Sequence, residues 1–258
     1  MRTFTKTYAD TQAQQRALAH HRWIARVNPD VRIPEVVHVR PTAIDFEHLD
    51  GRHGIADDLV TLAGLLGHQH ATAHTRDLYA ARMDAPHTSG DVTIAGFVED
   101  RRERLHQILA SGAVPEPALT REAADGWLER AATMPAAFYK DANPRNFLVT
   151  DTAAAVIDFD SLTLAPFGYD LAKLVVSIAM TTGPLPNDAI RRAVDAYNHH
   201  PRRHGVPGCS RHQFAAWCEF HHILTVPYLG TNDYRFSWHR VRPAWTTDIL
   251  RLDRRWAP

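Results

Sequence analysis

Lys140-Asp141-Ala142-Asn143-Pro144-Arg145-Asn146 sets an acid and an amide five residues apart in a loop stiffened by Pro144. Twelve residues after Asn146, Asp158 ends the apolar run Val156-Ile157, and Phe159-Asp160 follow. Two carboxylates and an amide so spaced suit phosphoryl transfer from ATP to a hydroxyl. Asp141 would orient the acceptor hydroxyl and take its proton, while Asn146 and Asp158 would hold Mg²⁺ against the phosphates. An Asp and an Asn at this spacing also occur in unrelated turns. The specificity lies in the joint order: loop, apolar strand, turn, apolar strand ending in Asp158-Phe159-Asp160, then Tyr169-Asp170-Leu171-Ala172 opening a helix.

Elements that would carry this loop are legible along the chain. Thr3 to Tyr8 reads as a strand with Phe4, Lys6 and Tyr8 on one face. Asp10 or Thr11 caps a helix through about residue 26. Val36–Val39 and Thr42–Phe46 read as strands around Pro41. Glu47-His48-Leu49-Asp50-Gly51 is a connector, dividing a small first lobe (1–48) from a larger helical one (49–258). In the second, helical periods run through Leu59, Leu62, Leu65 and Leu66, from Glu99 to Leu109, and from Thr120 to Ala132. Phe147–Thr150 and Ala154–Phe159 form a hairpin, and Leu171, Leu174, Val175 and Ile178 mark a buried helix. Helices follow at Asn187–His199 and Ser210–Leu224, and Trp238, Trp245 and Trp256 fall in a last one.

Composition narrows the classes. Lys+Arg and Asp+Glu balance at 29 each, so no overall field favours nucleic acid or an anionic membrane. No run has the length of a membrane helix, and the N-terminus lacks a signal-peptide core. Two cysteines make no disulfide framework, which suits the cytoplasm. The 17 histidines would add positive charge in mild acid. His199, His200 and His204 with Cys209 and Cys218 match no regular zinc spacing and read as a basic surface loop before a helix. His68, His70 and His74 read as the polar face of a helix, and Tyr228, Asp233, Tyr234 and Trp238 as candidates to line an acceptor pocket.

The block from Phe138 to Val175 resembles the catalytic core of the aminoglycoside phosphotransferase and choline kinase group. The resemblance implies a two-lobed α+β, protein-kinase-like fold with a helical second lobe, using ATP or another nucleoside triphosphate and Mg²⁺. It implies Asp141 as the catalytic Asp, Asn146 and Asp158 as metal ligands, and Asp170 as the buried brace of the catalytic loop. Glu47 and Leu49 would offer backbone groups to the nucleotide base. The implied acceptor is a small molecule such as an antibiotic, a natural-product intermediate or an amino alcohol. A peptide Ser/Thr kinase and a catalytically silent partner-binding pseudokinase are the rivals.

The departures from the group's pattern have consequences. Tyr139 stands where a His is usual and would support the loop by packing and by its hydroxyl. Lys140, beside Asp141, would either reach a transferring phosphate or sit solvated on the loop. No glycine precedes Gly51, so a Gly-rich phosphate lid is absent, and the chain begins at the strand bearing the nucleotide lysine, Lys6. No Glu precedes Glu35 to pair with that lysine, which leaves Asp10, Gln14 or Gln15 to orient it. So small a first lobe would expose apolar surface, to be covered by a second copy or a partner protein.

Overall fold

The computed structural model describes residues 2–151, 153–231 and 233–253. Strand β1 (Thr3–Thr7) leads to helix α1 (Thr11–Val27), whose first turn is capped by Asp10 accepting from Ala13 N at 2.7 Å. Strands β2 (Val36–Arg40) and β3 (Ala43–Glu47) then complete an antiparallel sheet of order β1–β3–β2, with Phe4 opposite Phe46 and Lys6 opposite Ile44. The period-2 alternation of β1 turns Phe4 and Lys6 to one cavity. On this sheet Phe4, Val37 and Val39 are exposed.

Helix α1 does not stay with its sheet. Trp23, Ile24 and Val27 belong to the same apolar cluster as Leu62, Phe138 and Trp217. Two polar ties reinforce the docking. Trp23 Nε1 donates to Asp77 at 2.6 Å, and His20 Nδ1 bonds the carbonyl of Asp160 at 3.0 Å. Burial holds His20 below the usual imidazole range, so it makes that bond as a neutral ring.

After residue 51, β4 (Arg52–His53) pairs with a later strand, and α2 (Leu59–Arg76) buries Leu59, Leu62 and Leu66. A hairpin of β5 (His87–Ser89) and β6 (Val92–Ile94) precedes α3 (Val98–Ala110) and α4 (Arg121–Ala131), the latter capped by Thr120. Strands β7 (Ala136–Tyr139), β8 (Phe147–Val149), β9 (Ala154–Val156) and β10 (Thr163–Pro166) follow. They form two small sheets, β4–β8–β9 and β7–β10. Then come α5 (Tyr169–Thr182), α6 (Asn187–Arg203) and α7 (Arg211–Thr225), the last opened by a Ser210/Gln213 capping box. The fold is α+β and protein-kinase-like, as expected from the sequence.

Several local expectations change. The expected hairpin exists as β8–β9, but β5–β6 and β7–β10 went unseen. Ala136-Ala137 has little strand propensity, and β7 owes its state to burial and to pairing with β10. The single last helix is two, α8 (Trp238–Val241) and α9 (Ala244–Asp253), because Pro243 interrupts it. Trp256 lies outside the described residues. His70 is no polar-face residue: it is fully buried and held to Tyr197 OH at 2.7 Å. Among the described residues no helix is long and apolar enough to cross a membrane.

Candidate active site

The loop between β7 and β8 is built around Asp170. This side chain, fully buried in the first turn of α5, accepts from Lys140 N at 3.0 Å and from Ala142 N at 2.7 Å. The backbone N–H groups of both residues next to Asp141 are thereby pinned. Asp141 takes a left-handed φ of 65°, and Asp158 takes 67°, a conformation uncommon for non-glycine residues though one that Asp tolerates better than most. Burial raises Asp170 to about 6, opposed by the Lys140 ammonium and the two backbone N–H groups.

A second relay reaches Asp170 from behind. Gly168 N–H donates to Tyr197 OH at 2.9 Å, so the tyrosine's own proton points to His70 Nδ1. That tautomer directs His70 Nε2–H towards Asp170 Oδ2, 4.0 Å away.

Asp141 is held by one oxygen. Its Oδ1 accepts from Tyr139 OH at 3.1 Å and pairs with Lys173 Nζ at 3.2 Å, leaving Oδ2 without a bond among the described residues. The Tyr139 hydroxyl thus supports the loop as the sequence suggested. Lys173 escaped the sequence reading. It lies three residues after Asp170 on α5, so the helix face that reaches the loop also presents this ammonium. That i, i+3 relation was the available signal. Lys173 also donates to Tyr234 OH at 3.0 Å, which accepts from Asn143 Nδ2 at 3.1 Å. Burial works against the charge of Lys173, but Asp141 and Tyr234 outweigh it and hold the ammonium above the usual lysine range.

Lys140 is not a solvated loop lysine. Its side chain is buried, with Nζ 4.7 Å from the Phe147 ring and 5.7 Å from Phe159. It lines neither cavity beside the loop. Burial pushes it below the usual lysine value, against the attraction of Asp170, Asp141 and Asp158.

Asn146 donates Nδ2 to the Asp141 carbonyl at 2.8 Å, which leaves its Oδ1 as an acceptor. Lys6 bridges to Asp158 at 2.9 Å and to Asp160 at 2.7 Å. The carboxylates on the far strand end therefore orient the lysine, and the residues proposed for that task do other things. Asp10 caps α1, Gln14 is buried in α1, and Gln15 forms no bond to Lys6. Glu47 is ion-paired with Arg32.

Two cavities meet at this loop. One, of about 570 Å³, is lined by Lys6, Phe46, Glu47, Leu49, Asn146 and Asp158. In the connector, Glu47 N–H and His48 N–H are already engaged by the Glu35 and Arg2 carbonyls. The other cavity, of about 520 Å³, is lined by Asp141, Arg145, Lys173, Tyr228 and Tyr234. Of the four C-terminal candidates, the two tyrosines line it, while Trp238 is core and donates to Glu219.

The donors facing the first cavity fit a hard cation. A carboxylate on Asp158 and the amide oxygen of Asn146 form the sparse oxygen set on which Mg²⁺ completes its shell with phosphates and water. Among the described residues, no three His, Cys, Asp or Glu side chains gather as a metal site, and Cys209 and Cys218 are free and buried.

Comparison with known proteins bears on the fold and the family. Among solved structures, a choline/ethanolamine kinase family protein from Mesorhizobium loti superposes with a TM-score of 0.62 at 16% identity, covering 98% of this chain and 87% of the other. An amicoumacin kinase in complex with AMP-PNP and Ca²⁺ gives 0.59 at 12% identity, over 98% and 80% of the two chains. A macrolide 2'-phosphotransferase from Brachybacterium faecium gives 0.57 at 19% identity, over 93% and 84%. At these identities the likeness establishes the fold. No curated protein matches the sequence. The family model described as the phosphotransferase enzyme family matches residues 2–206. With most of its length matched and the loop built as described, the chain belongs to that phosphotransferase family.

Proposed function

We propose that this phosphotransferase moves the γ-phosphoryl group of ATP to a hydroxyl of a small molecule, with Mg²⁺ as cofactor. The observation that carries the reading is that, among the described residues, Asp141 is tethered by Oδ1 alone while it lines the second cavity. Its Oδ2 is the free acceptor for a hydroxyl proton. The nucleotide would occupy the cavity on the side of residues 1–48. There Lys6 contacts the α/β phosphates, and the connector at Glu47 and Leu49 meets the base. Asn146 Oδ1 and Asp158 would hold the metal, which when bound neutralises phosphate charge. Lys173 keeps Asp141 oriented and sets a cation beside the point of transfer. Asp170 fixes the loop, and Lys140 supports it from beneath. A cavity of about 520 Å³ is of the size that takes a small acceptor.

Calorimetric titration of ATP with Mg²⁺ into wild type, Asp158→Ala and Asp141→Ala tests this reading. Mg²⁺-dependent binding is expected in wild type, lost in Asp158→Ala and largely kept in Asp141→Ala. Asp141→Ala should abolish transfer. Normal turnover in Asp141→Ala, or no nucleotide binding by wild type, would reject the assignment.

A further inference from the structure

The two cavities differ in charge. The nucleotide side sets Lys6 against Glu47, Asp50, Asp158 and Asp160. The acceptor side is the reverse, with Arg101, Arg104, Arg145 and Lys173 against Asp100 and Asp141. The chain as a whole is neutral, so this excess is local.

Lys173 and Asp141 satisfy each other, which leaves three guanidinium groups around the cavity. Among the described residues none of the three pairs with a carboxylate. Arg101 donates to neutral hydroxyls only, Tyr169 OH at 3.3 Å and Thr163 Oγ1 at 3.0 Å. Arg104 donates to Tyr228 OH at 2.7 Å. Asp100, the remaining carboxylate, is exposed at the rim. Arg101 is also clamped in orientation, its guanidinium carbon 5.1 Å from the Tyr139 ring and 5.5 Å from Phe97. A planar fork held ready, with no anion of its own, is built to receive one by paired hydrogen bonds. An ammonium in the same place would meet three like charges.

Resting on the phosphotransferase reading, we infer that the acceptor is an anionic hydroxy compound, whose carboxylate or phosphate group is held by Arg101, Arg104 and Arg145 while its hydroxyl meets Asp141. In the reaction the acceptor oxygen bonds to the γ-phosphorus, the bond to the ADP oxygen breaks, and the hydroxyl proton passes to Asp141. The acceptor class thus differs in charge from choline and from aminoglycosides.

The test is transfer from radiolabelled ATP, with Mg²⁺, to probes that differ in charge. Gluconate and glucose 6-phosphate form the acidic arm, glucose the neutral arm, and glucosamine and choline the cationic arm. The acidic arm should lead in kcat/KM by about tenfold or more, as expected for charge-assisted recognition. Gluconate against glucose 6-phosphate tells whether carboxylate or phosphate is the preferred anion. In Arg104→Gln and Arg145→Gln, KM for the acidic acceptor should rise by about tenfold while KM for ATP stays put. Preference for neutral or cationic probes, no transfer to either acidic probe, or a shift in KM for ATP instead would overturn the inference. Calorimetry of ATP with Mg²⁺ on the same preparation separates the failures. Nucleotide binding without an acidic preference rejects this inference alone. No nucleotide binding rejects the phosphotransferase reading, and this inference with it.

Discussion

Lys6 Nζ lies 2.7 Å from Asp160 Oδ2, joining the first strand of the chain to the residue two beyond Asp158. The same ammonium reaches Asp158 at 2.9 Å. This bridge closes one end of the first cavity without an acidic residue from α1. Burial opposes the charge on Lys6, yet the two carboxylates more than offset it and hold the lysine above its usual range. Asp158 moves the other way: burial raises it, the Lys6 contact prevails, and it stays below the usual carboxylate range.

The bridge predicts a division of labour. Asp160→Asn should leave Lys6 held by Asp158 alone, weakening ATP binding by about three- to tenfold, the scale of a partly exposed ion pair. Lys6→Met should weaken it further. The check is the dissociation constant for ATP with Mg²⁺. Unchanged affinity in Asp160→Asn would mean that Asp158 alone positions the lysine.

Lys173 and Tyr139 should act on turnover. Lys173→Met removes the cation from Asp141 Oδ1, and Tyr139→Phe removes the hydroxyl from the same atom. We expect kcat to fall by about 10²-fold for Lys173→Met and by about tenfold for Tyr139→Phe, with KM for ATP nearly constant, the pattern of groups that serve the transition state. Steady-state kinetics on folded variants decides this, and a change confined to KM for ATP would contradict it.

At Gly67 the helices α2 and α6 pass close together. A Cβ added there would stand 2.2 Å from the Tyr197 carbonyl oxygen and 2.8 Å from its carbon. Backbone cannot swing aside, so the helices must part, moving Tyr197 and with it His70 behind Asp170. Gly67→Ala should cost about 1–3 kcal/mol by urea unfolding, the usual range for overpacking.

Acid should destabilise the protein well above carboxylate pH. Burial lowers His20, His21, His221 and His222 below 6.5, and His70 to about 3, where the Lys140 charge adds to burial. The unfolded chain binds protons on these rings that the folded chain refuses. Their contribution is therefore present above pH 6.5 and is lost as pH falls below it, through pH 3 for His70. Asp170 runs in the opposite sense. Raised to about 6, it adds stability below pH 3.8, lost as pH rises through 6. Five rings outweigh one carboxyl, so the urea midpoint should drop between pH 7 and 5, by about 1.4 kcal/mol per pH unit for each net proton. A flat midpoint over that range would contradict the burial of these histidines. The 17 histidines therefore do not act together as a surface charge reservoir.

What the sequence by itself determined is local. The loop from Lys140 to Asn146, the strand ending at Asp158 and the helix opening at Asp170 are short-range patterns, and α1 and α4 are legible from caps at Asp10 and Thr120. The tertiary structure decided which distant groups meet them. Lys6 finds Asp160 across the sheet junction, Arg101 and Arg104 enter the acceptor cavity from α3, and β7 becomes a strand only by pairing with β10. Periodicity and capping report backbone state within a few turns. Contacts between residues tens to hundreds of positions apart depend on how the elements pack, so the local charge of each cavity is decided there.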